Sequence, residues 1–263
     1  MDVLAGVETA LITGASGGIG EAFARRLAAL GKNLVLVARS KDRLEALAGE
    51  LAAQHGLQVH VIGADLARPD AAASVFAETE RLGLAIDLLV NNAGFGKAGD
   101  FAELPLDAQA DMLQLNVNTL MELTRLYLPA MRGRRRGGVI NVASNAAFQP
   151  VPYMAVYGAS KAFVLSFSAA LSEEVRHDGV TVMALCPGAT ATSFWKVAGL
   201  WEGSQGAMDT PEKVVAVALR GFDQRKLWAI PGVRYRLAAF LSSRLAPRRP
   251  TLWITGWVFR RQR

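Results

Sequence analysis

Short apolar runs rich in valine, leucine and isoleucine alternate along the chain with longer amphipathic stretches, without a fixed-period repeat or a low-complexity segment. Seven runs read as strands: Thr9–Thr13, Asn33–Ala38, Gln58–Gly63, Asp87–Asn91, Val139–Ala143, Thr181–Leu185 and Leu227–Ile230. Each is nearly all apolar, the pattern of strands covered on both faces. The stretches Gly20–Leu30, Lys41–His55, Asp70–Leu82, Leu106–Met131, Met154–His177 and Pro211–Gly221 read as helices, several entered from a capping Ser, Asp or Thr. This alternation predicts an α/β fold, a single doubly wound, Rossmann-like parallel sheet with helices on both faces. Residues 1–232 carry the pattern as one domain, and 233–263 form an extension packed on it or peripheral to it.

In such sheets ligands bind beyond the carboxyl ends of the strands, so the loops there should hold the chemistry. The first strand runs into Thr13-Gly14-Ala15-Ser16-Gly17-Gly18-Ile19-Gly20, with a helix following. Glycines let backbone approach a pyrophosphate, and the helix start offers unpaired N–H groups and a positive dipole end. The spacing departs from G-x-G-x-x-G, so taken alone the turn indicates a phosphate site and no particular nucleotide. The second strand ends in Val37-Ala38-Arg39-Ser40. An acid there would bind the ribose hydroxyls and repel a 2′-phosphate, whereas Arg39 offers phosphate a planar fork of donors. NADP(H) is therefore the expected cofactor and NAD(H) the alternative.

Further elements follow in order: Asp65, Asn91-Asn92-Ala93-Gly94, Asn116, Ser144, Tyr157-Gly-Ala-Ser-Lys161 and Pro187-Gly188. As a set, spanning about residues 9 to 193, they resemble the short-chain dehydrogenase/reductase family. The resemblance implies that Gly14, Ser16, Gly18, Ile19 and Gly20 cradle the pyrophosphate, and that Asp65 with Leu66 meets the adenine. It implies that the Asn91–Gly94 segment, with Asn92, Ala93 and Gly94, lines the cofactor. Pro187, Gly188, Thr190 and Thr192 would face the nicotinamide. Catalysis falls to Asn116, Ser144, Tyr157 and Lys161, with Tyr157 and Lys161 also touching the cofactor.

The chemistry of those side chains suits carbonyl reduction, which needs a proton donor beside the hydride source. Tyrosine is a poor acid at its reference value of about 10, and lowering it by about three units needs roughly 4 kcal/mol. Lys161 lies four positions after Tyr157, so on a helix both share one face and the ammonium can stabilise a phenolate. Ser144 can hydrogen-bond the substrate oxygen, while in the family Asn116 supports a water relay to the lysine. Singly, each has a plain alternative: a half-buried helix tyrosine, a solvated lysine, a strand-end cap. The segment after Pro187-Gly188, in the family a mobile lid, carries Phe194, Trp195, Val197, Leu200, Trp201 and Met208. With Phe148, Val151 and Met154 it either packs on the core or lines a pocket for a bulky apolar carbonyl or alcohol. A 3-oxoacyl reductase acting on carrier- or CoA-linked chains is the second enzymatic reading. A non-catalytic dinucleotide sensor and a methyltransferase with a similar sheet are the readings from other classes. The intact Tyr157 and Lys161 argue against both.

Composition sets the outer limits. The 263 residues suit one α/β domain, and with 51% hydrophobic and 20% charged residues the chain is too polar for a bundle of membrane helices. Cys186, the single cysteine, excludes an intrachain disulfide, and its place at a strand end suggests a small buried role. Met1–Val7 hold no apolar run behind a basic start, so no secretory signal and a cytoplasmic setting are expected. His55, His60 and His177 show no ligand spacing, and no metal site is argued. The net charge of +6 is unevenly spread: from Arg220 onward there are 11 basic residues against Asp223, leaving 18 basic and 22 acidic residues before it. Val233–Leu245 reads as an amphipathic helix bearing Leu237, Phe240, Leu241 and Leu245, ended by Pro247 and Pro250. Thr251–Phe259, with Trp253 and Trp257, is apolar but half the length of a spanning helix, flanked by Arg248, Arg249, Arg260, Arg261 and Arg263. Such a tail is either a solvated end, a cleft cover, part of an oligomer interface, or a contact for an acidic partner or a peripheral membrane surface. No nucleic-acid module is visible. The long apolar helices suggest a homodimer or homotetramer.

Overall fold

A computed structural model describes residues 3–200, 208–242 and 252. Seven strands form one sheet in the order β3-β2-β1-β4-β5-β6-β7, all neighbours parallel. They are β1 (Thr9–Thr13), β2 (Asn33–Ala38), β3 (Val59–Gly63), β4 (Leu88–Asn91), β5 (Gly138–Val142), β6 (Thr181–Leu185) and β7 (Trp228–Ala229). Parallel neighbours need long crossovers, and these are supplied by α1 (Gly18–Ala29), α2 (Lys41–His55), α3 (Ala71–Arg81), α4 (Leu106–Leu113), α5 (Leu120–Arg134), α6 (Ala155–Glu174), α7 (Phe194–Ala198) and α8 (Pro211–Asp223). The chain steps outward from β1 to β3, then returns to lay β4 on the other side of β1. The loops leaving β1 and β4 therefore part at the middle of the sheet, where a crevice opens.

The pleat sorts the apolar strands into two cores. Ala10, Ile12, Leu34, Leu36, Leu88 and Val90 pack with Phe23, Leu27, Leu44 and Phe222 of α1, α2 and α8. Leu11, Val35, Val37, Leu89, Val139 and Val182 pack on the opposite face with Val75, Leu123, Met131 and Leu171 of α3, α5 and α6. Both faces are covered, which is why the strands show no polar alternation. Among the described residues α6 is the one helix long and apolar enough to cross a membrane. Its contacts with β6 and the burial of Tyr157, Lys161, Val164 and Ser168 show that one face of it packs on the sheet.

Two elements differ from expectation. The single helix expected over Leu106–Met131 is interrupted by a π-helical stretch, Gln114–Thr119, between α4 and α5. Side chains of this stretch are claimed from outside the helix: the Thr119 hydroxyl donates to the Leu66 carbonyl at 2.8 Å, and Asn116 engages the backbone of Phe95. Apolar periodicity is blind to such tethers, and π turns of this kind recur at functional positions. The short α7 falls below the length at which periodicity can be read. Within the extension, a last helix α9 (Val233–Phe240) meets the body through half-buried Tyr235 and buried Ala239. Leu245, Trp253, Trp257 and Phe259 lie outside the described residues.

The amino end of the sheet is organised by Asp87, which is 1% exposed. Its carboxylate accepts from the Glu8 amide at 3.0 Å and the Thr9 amide at 3.4 Å, and faces Arg134 at 3.4 Å and Arg136 at 3.3 Å. Removing one partner of a buried charged network is expensive. Asp87→Ala is expected to lower the stability by about 3 kcal/mol, read as an earlier midpoint in denaturant unfolding with little change in slope.

Candidate active site

The glycine turn after β1 is shaped by close packing against the chain leaving β4. Gly14 and Gly18 take left-handed backbone angles, φ +67° and +57°. A β-carbon on Gly14 would stand 2.9 Å from the Asn92 amide nitrogen and 3.0 Å from the Ala93 α-carbon; one on Gly20 would overlap the Gly14 carbonyl. Thr13 fastens the two loops together. Its hydroxyl accepts from the amides of Asn92 and Ala93, both at 2.9 Å, and the Asn92 side chain donates to the Thr13 carbonyl at 2.9 Å. Gly17, in extended conformation, gives α1 no side-chain cap, and nothing stands within 4 Å of where its β-carbon would be. Uncapped amides facing an open cradle fit a pyrophosphate.

Arg39 follows β2, exposed, with no carboxylate partner among the described residues. Asp65 is likewise exposed after β3 and accepts from the Ala67 amide at 3.2 Å. Leu66 is buried, so its side chain belongs to the core and only its backbone faces the loop region. Asn91 departs from the expected cofactor lining. Its side chain turns inward, donating to Asn141 at 2.9 Å and Thr124 at 3.0 Å, while Asn141 donates to Ser168 at 3.0 Å. The strand pleat sends Asn91 into the layer below α5 and α6 and leaves Asn92, Ala93 and Gly94 at the crevice.

Asn116 holds that segment in place. Its Oδ1 accepts from the Phe95 amide at 3.1 Å, and its two amide hydrogens go to the Phe95 carbonyl at 3.0 Å and the Ser160 hydroxyl at 3.1 Å. Both donors are committed, so the side chain braces the Phe95 backbone against α6. Next to it, Tyr157 and Lys161 sit on the inward face of α6, 9% and 5% exposed. The Lys161 ammonium donates to the Val142 carbonyl at 2.8 Å and lies 5.9 Å from the centre of the Tyr157 ring. Ser144, just past β5, accepts from the Ala146 amide at 3.1 Å and hydrogen-bonds the Tyr157 hydroxyl.

The electrostatics run against the simple expectation that Lys161 depresses the phenol. Burial pushes Tyr157 up to about 12, opposed only by the Ser144 hydrogen bond. Burial also pushes Lys161 down to about 8, with Cys186 acting in the opposite direction. The physical reason is that both groups are fully desolvated and the lysine is turned toward a backbone carbonyl. At neutral pH this site holds a loaded phenol beside a cation that it only just keeps protonated. Burial pushes the Cys186 thiol up to about 12, consistent with an inert packing role.

The loop after β6 closes the crevice. Thr192 packs over Gly18, whose β-carbon would come 3.0 Å from the threonine methyl. Thr190 is buried, its carbonyl accepting from the Trp195 indole at 2.9 Å. One contributor had no signal in the sequence: Tyr235 of α9 lays its ring against Gly188 and accepts from the Ala189 amide at 3.0 Å through its hydroxyl. A side chain at position 188 would collide with that ring, so Pro187-Gly188 is held from the extension. Of the expected pocket residues, Val151, Met154, Leu200, Phe194 and Trp195 cluster with Tyr157, the Phe194 ring 5.3 Å from the Tyr157 ring. Phe148 packs instead beside Val164 and Cys186, Val197 is exposed, Met208 is half-buried, and Trp201 lies outside the described residues.

A parallel doubly wound sheet with a glycine cradle at its switch point and a buried Tyr–Lys pair beside it defines a dinucleotide-dependent dehydrogenase. The chain belongs to the short chain dehydrogenase family, whose pattern matches residues 8–203. It is 38% identical over 217 residues to a very-long-chain 3-oxoacyl-CoA reductase of Anas platyrhynchos, covering 80% of this chain and 67% of that one. It spans 60 to 67% of the length of four such curated relatives. Among solved structures, a short-chain dehydrogenase from Sphingobium yanoikuyae in complex with NADPH superimposes with a TM-score of 0.83 at 38% identity, covering 90% of this chain and 94% of that one. A 7beta-hydroxysteroid dehydrogenase superimposes with a TM-score of 0.88 at 30% identity, covering 97% and 100%.

The lysine shift has a sign that can be checked. Between about 8 and 10.5 the folded chain holds Lys161 neutral while the unfolded chain holds it protonated, so stability rises with pH across that window and is lost as pH falls through 8. Lys161→Met is expected to melt at a higher temperature than the parent at pH 7, with the gap closing toward pH 10. Thermal unfolding across this range, with an equal or lower midpoint for the variant at pH 7, would contradict the shift.

Proposed function

We propose that the chain is an NADPH-dependent oxidoreductase that interconverts bulky apolar carbonyl compounds and their alcohols, with Tyr157 as the proton donor and acceptor. The observation that carries this reading is the placement of buried Tyr157 and Lys161 with Ser144 at the carboxyl end of β5, opposite the glycine cradle. A dinucleotide sensor would gain nothing from keeping a lysine buried at a cost to stability, and a proton-transfer site gains a poised cation.

The cradle of Gly14, Ser16, Gly18, Ile19 and Gly20 would hold the pyrophosphate, and Arg39 the 2′-phosphate, with Asp65 near the adenine. Asn92 to Gly94 and Pro187 to Thr192 would border the nicotinamide. When bound, the cofactor supplies the hydride and, once oxidised, a positive charge. Ser144 hydrogen-bonds the substrate oxygen beside the Tyr157 hydroxyl. Tyr157, protonated at neutral pH, passes its proton to that oxygen as negative charge develops, and Lys161 stabilises the phenolate that remains. Asn116 keeps the Asn92–Phe95 segment in register with α6. A high phenol value secures the proton for reduction, and positive charge from Lys161 and the oxidised ring eases its loss.

Phe194, Trp195, Val151, Met154 and Leu200 surround Tyr157 with apolar surface, which suits a bulky apolar substrate. The names of the relatives, a 3-oxoacyl-CoA reductase and a hydroxysteroid dehydrogenase, lie in the same direction. A 3-oxoacyl thioester is the second reading, favoured by the Anas relative. Exposed Leu106, Leu113, Met121 and Phe163 on α4 to α6 support a homo-oligomer.

A panel of bulky ketones, steroid ketones, 3-oxoacyl thioesters and small polar carbonyls, assayed with both cofactors, tests the reading. Turnover should be higher with NADPH and with the bulky apolar members. Equal or better turnover of small polar carbonyls would overturn the substrate class. Tyr157→Phe should retain NADPH binding, followed by nucleotide fluorescence, and lose at least about a hundredfold in kcat. Arg39→Asp should move the NADPH/NADH preference toward NADH by roughly ten- to a hundredfold, since one charge-assisted phosphate contact is removed. An unchanged ratio would discharge Arg39 of this role.

A further inference from the structure

Helix α9 has two unlike faces. Inward, Ala239 is 3% exposed and Tyr235 reaches the Gly188–Ala189 backbone. Outward, Val233, Leu237, Phe240 and Leu241 are 77%, 57%, 56% and 44% exposed. They stand at i, i+4, i+7 and i+8, which places them side by side along one line of the helix. Val233, Leu237 and Leu241 in a row are unusual on a surface that meets only water. Leu227 and Trp228, at the edge strand just before the helix, are 44% and 42% exposed.

The charge around this stripe is one-sided. Arg225, Lys226, Arg234 and Arg236 are all exposed. Arg236 has no carboxylate partner among the described residues. Residues 220–242 hold five basic side chains and one acid, Asp223, which accepts from the Leu4 amide at 2.9 Å. We propose that the outer face of α9 docks on an anionic lipid surface, its apolar stripe entering the acyl boundary and the arginines meeting the headgroups.

Charge complementarity selects this occupant. A second copy laid on the same face would set one strongly basic patch against another. A nucleic acid would satisfy the arginines and leave the aliphatic stripe in water. A bilayer with anionic headgroups answers both, because hydrocarbon and negative charge lie within one helix diameter of each other. The docking also has a geometric sense. Helix α9 starts beyond the carboxyl end of β7, the end of the sheet where the candidate site lies, and its inner face touches the loop after β6. A molecule partitioned into the acyl layer would meet the protein beside that crevice. The proposal rests on the surface of α9 and holds whichever substrate the site accepts.

The full-length protein, sedimented with vesicles of neutral phosphatidylcholine and with vesicles containing phosphatidylglycerol, provides the test. Binding is expected to the anionic vesicles and to fall as salt is raised. A double variant Leu237→Ser/Phe240→Ser should weaken binding at all salt concentrations, and Lys226→Ser/Arg236→Ser should weaken it at least about tenfold at low salt. All four positions are exposed, and circular dichroism confirms that each variant is folded. Turnover of a water-soluble ketone separates the two proposals: unchanged turnover with lost vesicle binding supports docking independently of the catalytic reading. Absence of binding to anionic vesicles, binding unaffected by either variant, or self-association that the Leu237/Phe240 variant abolishes would each overturn it.

Discussion

Thr13 and Asn92 hold together two chain segments that the sheet topology drives apart. At the switch point β1 and β4 are neighbours, yet their continuations leave toward opposite faces. One hydroxyl accepting two amides, and one carboxamide returning a hydrogen bond to the Thr13 carbonyl, keep those continuations in contact past the last ladder bond. The glycines are consequences of this closeness: a β-carbon on Gly14 would meet Asn92 and Ala93, and one on Gly20 would meet the Gly14 carbonyl and the Asn92 side chain. The open side of the turn is what remains for a ligand. From the same segment Phe95 reaches Asn116, and Asn116 reaches Ser160 of α6, the helix that carries Tyr157 and Lys161. A short polar chain thus ties the cradle to the proton-transfer pair.

That tie brings two ionisable groups into a place that resists their ionisation. The protein raises the phenol and lowers the ammonium, so the stability of the fold and the chemistry of the site pull in opposite directions. Val142 offers its carbonyl to Lys161, and the buried Asn91–Asn141–Ser168 chain stiffens the strands and helix on which the pair is mounted. Rigid support of this kind lets a site hold an unfavourable arrangement without relaxing out of it.

Much of this was legible in the chain itself, for a physical reason: strands buried on both faces must be apolar throughout, and glycine-bound turns must be written with glycine. Tyr157 and Lys161 were legible because a helix converts a spacing of four into a shared face. Other features are set by side chains that meet only in three dimensions. The π turn depends on tethers from Asn116 to Phe95 and from Thr119 to Leu66, pairs 21 and 53 positions apart. Asn91 turned out to be structural since the pleat, rather than the residue type, decides which of two adjacent asparagines faces the crevice. Tyr235 stood outside every pattern, because the backbone it holds, at Gly188 and Ala189, lies far from it in the chain. The direction of the Tyr157 shift followed from total burial, which no pattern of residues states.

The loop after β6 is closed at its root by a small parallel bridge, in which the Ala191 amide donates to the Asp209 carbonyl and the Asp209 amide to the Ala189 carbonyl. Phe194, Trp195 and Ala198 follow that clasp, and a second tie holds them where the Ala98 amide donates to the Ala198 carbonyl at 2.9 Å. The segment that borders Tyr157 is therefore pinned twice, at its root beside Asp209 and further along to the chain leaving β4. A change of length between those two ties would be felt at the Tyr157 ring before it reached the sheet.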